Sequence, residues 1–148
     1  MVSAIIDQEI KKAMLAKDQA ALRGLRAIKA ALLVARTEKG SAEEITEDAE
    51  MKILQRLIKQ RKESSDIYKQ QGREDLAVIE DEEITVISQF MPQQLGKEEV
   101  EALIAKLIAG AGAVTVKDMG RIMGLANKEL AGKADGKLIA EIVKSQLA

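Results

Sequence analysis

The sequence predicts an all-α protein, and three observations carry that prediction. Apolar residues recur at helical spacing along the whole chain, with no sustained strand alternation. Hydrophobic residues make up 47% of the composition but aromatics only 1%, so a core has to be assembled from Leu, Ile, Val, Ala and Met, a set that favours helices. Residues suited to starting and stopping helices punctuate the periodic segments.

Taken in order, a first helix is expected from near Ser3, an N-cap residue type, to about Ala16, with Ile6, Ile10 and Met14 inward. Asp18 can cap a second helix whose apolar positions are Leu22, Leu25, Ile28, Leu32 and Leu33, and which should stop by Gly40. Thr46, followed by Glu47, Asp48 and Glu50, reads as an N-cap with acids in the first turn, where the helix dipole favours them. The third helix then runs to about Gln71 and ends at Gly72. A fourth covers roughly Glu74 to Met91, turning Leu76, Ile79, Val86, Ile87 and Phe90 inward, and Pro92 closes it. Three shorter helices follow, broken around Gly110 and from Gly132 to Gly136, with Thr115 and Asp135 as caps.

With 148 residues, the chain has room for one domain or two small ones. A boundary near the single proline gives an N-terminal helical domain of about four helices, residues 1–92, and a compact three-helix tail, residues 93–148.

Composition also excludes chemistry. The chain has neither Cys nor His, which removes disulfides, thiol nucleophiles, the usual zinc sites and imidazole acid–base catalysis. The acids Glu80 to Glu83 are consecutive, so on a helix they point in different directions and make a poor metal cluster. "GKADG" lacks the long glycine-rich spacing and the Lys-Ser/Thr ending of a phosphate loop. No catalytic residue, cofactor or metal is expected. Asp7 and Glu9 interrupt the start before any apolar run of signal-peptide length, and nowhere do 18 uncharged apolar residues adjoin, so a cytoplasmic protein without a membrane span is expected. A net charge of −1 argues against coating nucleic acid by bulk electrostatics but leaves room for a local basic face.

Several charges sit on apolar stripes. At ~100° per residue, Arg61 projects about 40° from Leu57 and about 60° from Ile58. Lys29 falls between Leu25 and Leu33, with Arg36 continuing the line, while Glu83 falls between Ile79 and Ile87. Because an unpaired buried ion costs several kcal/mol, a partly buried network is expected to join Glu83 and Glu80 to Arg61 and Lys29, near Ser64, Ser65 and the Tyr68 hydroxyl. Two other readings stay open: long basic stems lying along the seam with their heads in water, or a groove that awaits an anion.

"LRAIKAAL" (25–32), "KQRKESSDIYKQQGREDLAVIEDEE" (59–83), "FMPQQL" (90–95), "DMGRIMG" (118–124) and "GKADGKLIAEIVK" (132–144) together resemble the YqeY family. These are small bacterial proteins that share a domain with the C-terminal end of GatB, a subunit of the glutamine-dependent aminoacyl-tRNA amidotransferase. Gly96 departs from the family pattern, which more often has a Ser or Thr cap there. The resemblance implies an all-helical fold with a small helical tail, and tRNA association or an accessory role beside the translation apparatus. It also implies, as an alternative, carbon–nitrogen ligase activity with glutamine as amide donor inside a complex; the residues offer no machinery for it.

The tail carries eight basic against seven acidic residues. Lys117, Arg121 and Lys128, spaced by four and seven, should lie along one side of a helix, and Lys133 and Lys137 flank the start of the last helix, where backbone N–H groups can meet a phosphate. These five form the candidate RNA-binding surface. Gly120 and Gly124 are expected to allow close helix packing inside the tail. A protein-interaction module using Lys52, Arg56 and Lys59 is the remaining functional class.

Overall fold

The computed structural model describes residues 1–38, 44–113 and 115–148, and among these every regular element is a helix. They are α1 (Val2–Ala16), α2 (Gln19–Glu38), α3 (Glu47–Gln70), α4 (Glu74–Ser88), α5 (Lys97–Ala111), α6 (Met119–Glu129) and α7 (Gly136–Leu147), with a 3-10 turn at Val116–Asp118 leading into α6. The expected stop at Gly40 lies outside the described residues. The chain divides into two compact units, Met1–Met91 and Pro92–Ala148.

In the first unit, α1 and α2 form a hairpin. Lys17 turns the chain in the left-handed region at φ 56°, and Asp18 Oδ1 accepts from the Ala21 N–H, capping α2. The apolar face of α1 is Val2, Ile6 and Ala13, with Ile10 half-buried, and it packs on Leu22, Leu25, Ile28 and Leu32. Met14 is not part of this face: it stands one residue beyond Ala13, about 100° around the helix, and is 55% exposed. For the same reason Leu33, next to Leu32, is turned out and 61% exposed.

The first turn of α1 is closed from a distance. Its N-cap is Met1, with no side-chain cap hydrogen bond, so Ser3 does not cap it. Instead the carboxylate of Glu50, on α3, accepts from the N–H groups of Val2 and Ser3. Glu50 is fully buried, which is tolerable because two helix-start donors and the positive end of the α1 dipole meet its charge. Thr46 caps α3 by accepting from the Ala49 N–H.

α3 and α4 run antiparallel, as the pairings Arg61 with Glu83 and Lys69 with Asp81 require, and Gly72 at φ 73° makes the turn between them. On α4, Ala77 and Ile87 are both fully buried, whereas Ile79 is left 40% exposed. The last residues before Pro92 tighten: Gln89, Phe90 and Met91 donate to the carbonyls three positions back, so α4 ends at Ser88 rather than at Met91. α2 crosses α4 at Gly24. A Cβ there would fall 2.7 Å from Val86 Cβ, so only glycine allows this approach.

In the second unit, Val100, Ile104, Ile122, Ala126, Leu130, Ile139, Ile142, Val143 and Leu147 form the core. α5 begins at Gly96 without a side-chain cap, and Glu98 and Glu99 in its first turn complement the dipole. It continues through Gly110. Thr115 and Asp118 form a reciprocal capping box, and Asp135 caps α7 by accepting from the Lys137 N–H. No helix among the described residues is long and apolar enough to cross a membrane.

Replacing Glu50 by alanine leaves the two α1 donors without their acceptor. The expected cost is about 1–3 kcal/mol in urea unfolding; a change below about 0.5 kcal/mol would remove the role given to this carboxylate.

Candidate functional site

Two arrangements of charge are the candidates, one in each unit. In the first, Glu83 on α4 accepts a hydrogen bond from Arg61 and lies within ion-pair distance of Arg23, whose buried Nε has no hydrogen-bond partner among the described residues. Glu83 Oε2 lies 2.9 Å from Arg61 Nε of α3, and Glu83 Oε1 lies 3.9 Å from Arg23 Nε of α2. The Arg61 and Glu83 side chains are both largely buried, at 18% and 15% exposure, and Arg61 Nη1 also donates to the Leu57 carbonyl one turn earlier. Arg23 extends the group outward by pairing with Glu82 through Nη2. Three helices are therefore tied at one point by alternating charges.

Lys29 does not belong to that point. Its ammonium pairs with Asp7 of α1 at 2.6 Å, and both side chains are more than half exposed. The position on α2 that reaches Glu83 is Arg23, because Gly24 brings that part of α2 against α4. A glycine between two apolar stripe positions, Leu22 and Leu25, was the available signal for a close crossing, and the basic residue beside it follows. Glu50 gave no comparable signal, since an acid in a first helical turn is already accounted for by its own helix.

Glu80 is half-buried one turn before Glu83. Burial holds its carboxyl above the usual carboxylate range; Glu83 adds to the rise and Arg61 opposes it. Ser65, nearly fully buried, donates to Asp81 Oδ1 at 2.7 Å, a partner other than the Arg61–Glu83 pair beside which it was expected. That hydrogen bond, with help from Lys69, holds Asp81 below the usual range.

The second arrangement is basic. Lys117 sits in the 3-10 turn, with Arg121 and Lys128 on α6, and all three are exposed. Arg121 is braced, its Nη2 lying 3.1 Å from the Ala111 carbonyl at the end of α5 and 3.4 Å from Asp118 Oδ1. Gly120 and Gly124 do not pack against another helix: a Cβ at either would meet nothing within 4 Å, because α6 turns Ile122 and Ala126 to the core and these glycines to solvent. Lys133 and Lys137 are exposed in and just after the α6–α7 connection. The chain around Lys133 is fixed, its carbonyl accepting from the Leu95 N–H while Gln94 Nε2 donates to the Gly132 carbonyl. Of the α7 N–H groups, that of Lys137 is already taken by Asp135.

Among the described residues, no three carboxylates converge as a metal site would need. A family model described as Yqey-like protein matches residues 3–147. The chain belongs to the YqeY family. No curated protein matches it. For this YqeY-family chain, membership extends through both charge arrangements, from Arg23 to Lys137, without assigning either a role.

A double-mutant cycle on Arg61 and Glu83, each changed to alanine, should return a coupling of about 1–2 kcal/mol, as expected for a largely buried, hydrogen-bonded pair; a value near zero would dissolve the pair's importance. Glu80 gives a signed pH dependence. Its folded-state pKa is raised, so the folded chain holds that proton more tightly than the unfolded chain, and ionised Glu80 opposes folding at neutral pH. Glu80→Gln should therefore be the more stable protein at pH 7, with the advantage over wild type shrinking as pH falls through the raised folded-state pKa toward the ordinary carboxylate range. Urea midpoints across that interval test this, and an advantage that grows on acidification would reverse the assignment.

Proposed function

We propose that this protein is a noncatalytic cytoplasmic accessory factor whose second unit, Pro92–Ala148, binds tRNA. The observation that carries the reading is the solvent side of the 3-10 turn and α6, where Lys117, Arg121 and Lys128 are all exposed and Arg121 is held in place by two acceptors. Lys133, on a connection fixed by Gln94 and Leu95, and Lys137, in the first turn of α7, add two further exposed cations. Cations at fixed positions on a rigid support suit phosphate contact, which supplies most of the affinity of nucleic-acid binding and little of its sequence preference. The kinship of the family with the tail of GatB supports the same assignment. The inward charges of the first unit fit a structural role, since Glu83 is hydrogen-bonded to Arg61 and lies 3.9 Å from Arg23 Nε, both arginines of its own fold.

Binding of tRNA by the full chain, measured at two salt concentrations, tests the proposal. Affinity should fall steeply with salt, and Arg121→Ala and Lys133→Ala should each weaken it by about 3- to 10-fold while lowering the salt slope by roughly one unit each. Affinity indifferent to both substitutions would remove the tail surface from consideration.

A further inference from the structure

We propose that the outer side of α6 takes the sugar–phosphate ridge of double-helical RNA in preference to a single strand, an inference that rests on the RNA-binding reading above. Its first support is chemical. The chain has one tyrosine and one phenylalanine, Tyr68 and Phe90, and both lie in the first unit, so residues 92–148 contain no aromatic ring. Proteins that hold single strands stack bases on aromatic side chains and add a cationic groove along the backbone. A flexible strand must also be ordered as it binds, and without stacking this tail has little to offset that cost. A duplex arrives ordered, with its phosphates at fixed spacing, and is recognised by shape and backbone contact.

The second support is the geometry of the helix that would meet it. α6 turns Ile122 and Ala126 to the core, and by the helical step Arg121 and Lys128 lie on the opposite side. Seven residues separate them, a rise of about 10 Å along a rigid element. Arg121 does not swing freely, because its guanidinium is braced by the Ala111 carbonyl and Asp118 while its side chain remains about half exposed. Between the two cations lie Gly124, which raises no side chain above the backbone, and Leu125, which is 39% exposed and offers an apolar contact beside them. Glu129, the nearest acid on α6, is about 100° around the helix from Lys128. A braced arginine and a lysine set at fixed spacing along one helix suit a preset row of phosphates better than a chain that must be arranged to fit.

The test compares the full chain's affinity for an RNA hairpin and for an oligouridylate with the same number of phosphates, at low salt. The hairpin should bind at least about 10-fold more tightly, and Arg121→Gln with Lys128→Gln should bring the ratio close to one. Equal or tighter binding of the oligouridylate would overturn the duplex preference while leaving the RNA reading in place. A hairpin preference that survives the double substitution would overturn its assignment to α6. If neither RNA binds, both this inference and the reading beneath it fall.

Discussion

Glu83 is the constraint around which the first unit is arranged. With almost no aromatic side chains, the helices of this protein have to approach closely to bury enough aliphatic surface, and close approach brings charged residues to the seams. A carboxylate that faces Arg61 from one helix and Arg23 from another converts that difficulty into a tie between three elements. The tie needs Gly24, because a side chain there would hold α2 away from Val86 and carry Arg23 out of range. Packing and pairing thus depend on each other: the glycine sets the distance, and the charges fix the register.

Glu50 solves the same problem at the other end of the unit. A buried acid is costly unless every part of its charge is met, and here the first N–H groups of α1 meet it. The two acids differ in what answers them, guanidinium groups in one case and a helix terminus in the other. In both, polar groups that burial would penalise become specific cross-links, which aliphatic packing alone supplies poorly.

Much of this was legible in the sequence, and the parts that were not share a cause. Helical periodicity and the side-chain caps at Asp18, Thr46 and Asp135 are local signals, and each appears where expected. Arg61 and Glu83 were conspicuous because each broke an apolar stripe. Lys29 broke one too, but its stem reaches past the stripe to Asp7, and periodicity gives direction without giving reach. Ser3 lost its expected cap role to a residue far along the chain, and no local pattern reports that. Gly120 and Gly124 were expected to serve packing, whereas they face solvent; the spacing of small residues says that they share a side, not which side it is.

The Glu50 contact also bears on how the chain matures. Val2 and Glu50 are 48 positions apart, so α1 is an unfinished element while only α1 and α2 exist, its leading amides answered by water alone. An emerging polypeptide can zip the first hairpin early, yet that hairpin's opening turn stays frayed until the start of α3 has been synthesised and swung back. The opening turn of α1 is therefore among the last parts of this unit to be locked.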